Sequence, residues 1–236
     1  MKDERFTIIT CSYNTPLITE CMLRSYCKYH GGQHRIIVID NSTNDETKIM
    51  LDKYRVPYVD GNTITKNKDW SSHYLGLDWA VKNCTTPNCL ILDTDILFKE
   101  NIYLLFERFV DDKDVVALGP HCTEYKTDTK RLLPRIHSCF MMLDVEFFNK
   151  HRDLTFSDSV SDGLEEGQAY DVGSYLYKRI IDLKKKTLNV EYNRYYVHAG
   201  GGSWTYKQQE LVDYYKNVIY NYLVDIDITD SFISEI

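Results

Sequence analysis

No apolar run in this 236-residue chain approaches the roughly 18 residues of a membrane-crossing helix, so no transmembrane segment is expected. Met1-Lys2-Asp3-Glu4-Arg5 leads straight into a strand signal with no signal-peptide core, which predicts a soluble protein. Excess positive charge is missing too. A net charge of -7 excludes a general binder of nucleic acid or anionic membrane, whose affinity would come from clustered Lys and Arg. There is no Cys-x-x-Cys pair, and seven cysteines, at 11, 21, 27, 84, 89, 122 and 139, are an odd number that does not suit a disulfide framework. Most lie in apolar segments, where a free thiol behaves as a small hydrophobe, so a reducing, cytoplasmic setting is expected.

What is present is ordinary for a globular protein: 43% hydrophobic and 27% charged residues exclude disorder for most of the chain. The length suits one larger domain. Tyrosine is abundant at 19, with three tryptophans; such rings can stack on sugar faces, but packing is the expectation for most of them.

Residues 6–10 and 36–39 are continuous apolar runs flanking a helical stretch at about 17–29, which makes a βαβ unit with both sheet faces covered. Helices are expected at 45–54 and 71–83, and a short strand at 57–59. The buried strand Cys89-Leu90-Ile91-Leu92 follows. Beyond it the pattern predicts a helix at 101–109, a strand at 115–118, a polar loop at 121–134 and a strand at 139–143. A turn or helix is expected at 145–151, an acidic, glycine-containing loop at 157–168 and a helix at 170–182. A tyrosine-rich strand at 190–197, a glycine loop at 198–204 and a closing helix at 207–224 complete the reading, with an acidic tail from 225 that is either ordered or frayed. The alternation implies an α/β fold with a mostly parallel central sheet flanked by helices, whose ligands sit beyond the carboxyl ends of the strands.

Asp93-Thr94-Asp95 stands at one such end. Hard divalent ions take oxygen ligands and commonly bind through one or two carboxylates plus substrate phosphates. Asp112-Lys113-Asp114 and Asp225-Ile226-Asp227 repeat the spacing, but in solvated surroundings. Three further constellations accompany the first pair: Thr10-Cys11-Ser12-Tyr13-Asn14 after the first strand, Asp40-Asn41-Ser42-Thr43-Asn44-Asp45 after the second, and His198 before Gly200-Gly201-Gly202-Ser203-Trp204. Asp40 to Asp45 also reads as an N-cap run for the next helix, the reading preferred for Ser42 to Asp45 while Asp40 is read as functional, and both can hold at once.

With these residues in this order, over roughly positions 6–205, the chain resembles the GT-A fold glycosyltransferases, closest to the inverting family 2. The resemblance implies a single GT-A (Rossmann-like) domain over residues 1–236. About 1–98 would form a nucleotide-binding half, and about 99–236 an acceptor-binding half with a closing C-terminal segment. It implies a nucleoside diphosphate sugar donor, most simply a UDP-sugar, and a glycan or lipid-linked acceptor. Thr10, Ser12, Asn14, Asp40, Asp93, Thr94 and Trp204 would line the nucleotide-sugar site, with Asp40 accepting hydrogen bonds from the base. Asp95, His198 and Asp93 would hold Mn²⁺, or Mg²⁺ in its place. Inversion needs a base for the acceptor hydroxyl. Asp171 is the first choice, with Glu166 and Glu165 behind it, although Asp171 at a helix start could instead serve the helix dipole. Family members usually carry an Ala-Arg-Asn element where this chain has Ser72-His73-Tyr74, and His73 is read as a surface or packed side chain. The glycine run could be a lid over phosphate or a plain turn; it lacks the lysine and spacing of a P-loop. A retaining GT-A enzyme and a catalytically silent sugar-nucleotide binding module are the alternatives. The sequence says nothing of oligomeric state.

Overall fold

In the computed structural model, residues 5–31, 33–64, 72–198 and 209–234 are described. The first half runs β1 (Phe6–Ser12), α1 (Pro16–His30), β2 (His34–Asp40), α2 (Glu46–Lys53), β3 (Val59–Asp60), α3 (Gly61–Ile64), α4 (Ser72–Asn83), β4 (Asn88–Asp93) and β5 (Ile96–Phe98). Next come α5 (Tyr103–Asp111), β6 (Val115–Gly119), β7 (His121–Cys122), β8 (Tyr125–Lys126), β9 (Arg131–Leu132), β10 (Arg135–Ile136), β11 (Phe140–Asp144) and α6 (Val145–Lys150). The remainder is β12 (Gln168–Ala169), α7 (Ser174–Asp182), β13 (Lys186–Asn189), β14 (Tyr196–His198), α8 (Gln209–Val218), a π-helical turn (Ile219–Leu223) and β15 (Phe232–Ser234).

The main sheet has the order β13-β6-β11-β4-β1-β2-β15, with β3 also on β2. Only β11 runs antiparallel to its neighbours β4 and β6; the other pairings are parallel, so the expected α/β architecture holds. Strand side chains alternate between faces, and here both faces are apolar. Ile8, Ile36, Val38, Leu90 and Leu92 join Met22, Leu23, Leu51, Phe106 and Phe109 from α1, α2 and α5. Ile9, Ile37, Ile39, Cys89 and Ile91 join Leu77, Val81, Phe148, Leu176 and Ile180 from α4, α6 and α7. That two-sided burial is why these strands are unbroken apolar runs. All seven cysteines are free, and five of them are buried.

Three expectations need correction, and the tail left open between ordered and frayed is settled. The stretch 121–134 is not a plain loop: β7 pairs with β10, while β8, β9 and β12 form a small three-stranded sheet. Of the strand placed at 190–197 only the end is a strand, β14 from Tyr196; the residues before it form a turn, in which Asn193 takes φ 63°, and follow β13 at the edge of the main sheet. Helix α7 starts at Ser174 rather than 170, because Gly173 at φ 86° ends the preceding turn; a Cβ there would meet the Ile136 carbonyl at 2.6 Å. The acidic tail is ordered through Ser234. β15 adds a parallel strand to β2, and the guanidinium of Arg24 bonds the Leu223 and Ile226 carbonyls and the Tyr54 hydroxyl. The glycine run and Trp204 lie outside the described residues.

His30 ties α1 to the start of α5. Its Nδ1 donates to the Tyr26 carbonyl at 2.8 Å and its Nε2 accepts the Ile102 N–H at 3.1 Å, an arrangement only the neutral ring can make. Burial is the main cause that pushes its pKa down from 6.5 to about 4, with the neighbouring His34 adding to the effect. The folded value lies below the unfolded one, so this contribution is complete above pH 6.5 and is lost as pH falls toward 4. Urea unfolding should therefore show a loss of about 2 kcal/mol attributable to this ring between neutral pH and about pH 5. His30→Gln should flatten that part of the profile; an unchanged profile would remove the assignment.

Candidate active site

Three strand ends converge at the carboxyl edge of the main sheet. β1 pairs with β2 on one side and β4 on the other, so Ser12 lies beside Asp40, and Cys11 beside Asp93. The loops after β1 and β2 are laced together. Asn14, at φ 54°, donates its N–H to Ser42 Oγ at 2.8 Å and exchanges amide bonds with Thr43 at 3.0 and 2.9 Å. The Ser12 hydroxyl meets Thr15 and Thr19 at 3.2 and 3.1 Å. The side chains of Ser12 and Asn14 are thus committed to the scaffold, and they shape the cleft from within.

Asp40 is fully buried. Its Oδ1 accepts the Ser42 N–H at 3.1 Å within the loop, while Oδ2 has no partner among the described residues. Helix α2 begins after Asp45, whose side chain makes no capping bond; at its start Asn44 Oδ1 accepts the Glu46 N–H at 3.1 Å. Thr10 Oγ1 is likewise buried and unpartnered among them. Burial pushes the Asp40 carboxyl above the usual carboxylate range, against the pull of Ser42 and Lys48. A buried acceptor without a donor is costly, and a ligand N–H would relieve it. Gly61 closes the far wall, where a Cβ would fall 1.8 Å from Asn41 Oδ1.

Asp93, Thr94 and Asp95 form the turn between β4 and β5, and Thr94 and Asp95 are buried. β5 pairs antiparallel with β14 in a register that sets His198 opposite Ile96, the residue after Asp95. His198 Nε2 comes to 3.1 Å from Asp95 Oδ1 and 3.8 Å from Asp93 Oδ2. One donor atom from each of Asp93, Asp95 and His198 lies within 4.8 Å of the others. Burial pushes the Asp93 carboxyl up, and the like charge of Asp95 adds to this against the opposing pull of His73, His198 and Arg135. Burial would depress the His198 imidazole, but the bond to Asp95 and the charges of both aspartates outweigh it and raise it. Two crowded carboxylates facing one imidazole leave a negative surplus that a divalent cation would neutralise, and oxygen plus nitrogen donors suit such an ion. The residues present fit the group.

Asp171 sits in the turn before α7. Its Oδ2 pairs with Arg135 from β10 and accepts the Tyr125 hydroxyl at 3.3 Å, while Oδ1 accepts the Val172 N–H at 2.7 Å. The Arg135 charge also acts on Asp93, which links the two carboxylate groups electrostatically. Glu165 and Glu166 are exposed; Glu165 pairs with Arg131 at 3.5 Å, and neither has a recorded bond to the Asp93 cluster among the described residues. His73, read as a surface or packed side chain, is part-buried with Nε2 at 4.0 Å from Asp93 Oδ1. Arg135, His137 and Tyr192 carry no spacing signal in the sequence, and only the tertiary pairing of β7 with β10 and β5 with β14 brings them here.

No curated protein sequence matches the chain at a significant level. Among solved structures, a mannosyltransferase of Pyrobaculum calidifontis, in complex with GDP-Man and Mn²⁺, is similar over 92% of this chain and 64% of its own, with 18% identity and a TM-score of 0.59. S. aureus TarS is similar over 92% of this chain and 40% of its own, with 14% identity and a TM-score of 0.53. The chain therefore spans less than two thirds of the length of either, and at these identities the likeness is one of fold. The sequence model of glycosyl transferase family 2 matches residues 7–175, most of the main sheet and the whole Asp-x-Asp turn, and the chain belongs to that family.

Proposed function

We propose that the protein is a metal-dependent, inverting glycosyltransferase that moves a sugar from a nucleoside diphosphate sugar, with UDP as the nucleotide, to a hydroxyl of a glycan or lipid-linked acceptor. The observation that carries this is the convergence of Asp93, Asp95 and His198 on the same sheet edge as the buried carboxylate oxygen of Asp40 that has no partner among the described residues. Residues 1–98 would serve the nucleotide and residues 99–236 the acceptor. Mn²⁺ suits the mixed oxygen and nitrogen set better than Mg²⁺, which takes mostly oxygen. Held by these side chains, the ion would supply positive charge against the diphosphate leaving group. The free cysteines support a reducing, cytoplasmic setting.

The chain's own groups divide the remaining work. Asp40 Oδ2 accepts an N–H from the nucleobase, and the ends of β1 and β2 wall the nucleoside from water. Asp171 takes the proton from the attacking acceptor hydroxyl, and the adjacent Arg135 guanidinium holds its carboxylate in place. Glu166 and Glu165 stand in reserve on the exposed turn beside the same small sheet.

Incubation with UDP-sugars and Mn²⁺ should release UDP and yield, with an acceptor, a product of inverted anomeric configuration by proton NMR. Asp95→Asn should lower turnover by about 10²-fold or more. Asp171→Asn should lower kcat by about 10²–10⁴-fold with donor affinity unchanged. A retained configuration would replace the base mechanism with a retaining one. Donor binding without turnover across acceptors would point to a binding module.

A further inference from the structure

His198 is held at its backbone N–H and at Nδ1 by the turn that precedes it. Its backbone N–H donates to Asn193 Oδ1 at 2.9 Å, and Asn193 occupies the left-handed region at φ 63°. The Lys99 ammonium bonds the Asn193 carbonyl at 2.6 Å, pinning this turn to the chain just beyond β5. From the same turn, Tyr192 bonds His198 Nδ1 through its hydroxyl. The tyrosine ring stands edge-on to both Tyr196 and His198, with centroids 6.1 and 5.8 Å away. Tyr196 is fully buried and stacks on Phe140 at 4.9 Å, so the base of this assembly belongs to the core.

A second donor set overlaps the first. One donor atom from each of His137, Cys139 and His198 also lies within 4.8 Å of the others. Two imidazoles and a thiol are a softer set, suited to Zn²⁺, whereas the carboxylate set suits Mn²⁺ or Mg²⁺. A neutral His198 has one lone pair and cannot serve both sets at once; its Nε2 faces Asp95 and its Nδ1 faces Tyr192.

We propose that Tyr192 is a positioning residue whose hydroxyl keeps the proton of His198 on Nδ1, so that the Nε2 lone pair is presented to the Asp93–Asp95 side and withheld from His137 and Cys139. This rests on the metal-site reading above. A neutral imidazole has one N–H and one lone pair. With no cation bound, Asp95 attracts the proton to Nε2, which would move the lone pair to Nδ1 and away from the carboxylates. The Tyr192 oxygen accepts Nδ1–H and opposes that shift. Partners on the distal nitrogen of a ligating histidine set its tautomer, and their loss typically weakens metal binding by about 10–100-fold.

Tyr192→Phe removes one oxygen and keeps the ring packed on Tyr196. Mn²⁺ and Zn²⁺ affinities of the wild type and this variant are compared by isothermal titration calorimetry, together with imidazole ¹⁵N–¹H spectra of the metal-free proteins at alkaline pH. Mn²⁺ affinity should fall by about 10–100-fold, Zn²⁺ affinity should hold or rise, and the His198 pattern should move from the Nδ1–H toward the Nε2–H tautomer. An unchanged Mn²⁺ affinity with an unchanged imidazole pattern overturns the role of Tyr192. A parallel fall for both metals overturns the selectivity and marks a merely structural turn. A wild type that binds no Mn²⁺, with a His198 pattern that still responds to the substitution, overturns the metal reading while leaving the positioning role standing.

Discussion

The register between β5 and β14 is the constraint on which the site depends. Asp95 and His198 are far apart in the chain, and a two-stranded ladder of three residue pairs, ending with His198 opposite Ile96, brings them to hydrogen-bonding distance. A slip of one residue would turn His198 to the opposite face and empty the third corner of the cluster. The ladder is secured from the core side. Leu97 and Phe98 are buried, the Phe98 N–H bonds Ser25 Oγ of α1 at 3.1 Å, and Tyr196 stacks on Phe140 of β11. The apolar packing of the main sheet thereby sets the position of a polar group at its edge.

Electrostatics then explains why these groups would not sit comfortably together without a ligand. Asp93, Asp95 and Asp40 place three carboxylates in or beside one buried edge, and burial pushes both Asp93 and Asp40 toward protonation. The nearby basic groups, His198, His73 and Arg135, only partly offset this. Such an edge is costly in a fold that has no use for it, and a site that receives a cation and a nucleobase N–H recovers the cost on binding. Arg135 and Tyr125 hold Asp171 through the small sheets that the polar stretch 121–134 forms with residues 135–136 and 168–169.

The parallel sheet, both halves of its core and the strand-end placement of Asp40, Asp93 and Asp95 were legible because two-sided burial writes continuous apolar runs into the chain. What stayed hidden has long-range causes. β5 is three residues long, and β14 is interrupted from β13 by a turn that depends on Asn193 and on tertiary support from Lys99. β15 follows an acidic segment and is ordered by Arg24, a helical side chain whose capture of two distant carbonyls leaves no periodic trace. Arg135 and Tyr192 were missed for the same reason: each acts on a group brought to it only by strand pairing. His73 shows the reverse, a residue whose place in the chain was noted through the resemblance while its approach to Asp93 was not.

The most direct test of the central claim is thermal unfolding of the wild type and of Asp95→Asn with a panel of nucleoside diphosphates and nucleotide sugars, each with and without Mn²⁺. A ligand that binds only the native state raises the midpoint by mass action. The account predicts a rise for UDP and UDP-sugars that requires Mn²⁺ and disappears in Asp95→Asn. A well-folded wild type, saturated with metal, that shifts with none of the nucleotides would contradict it.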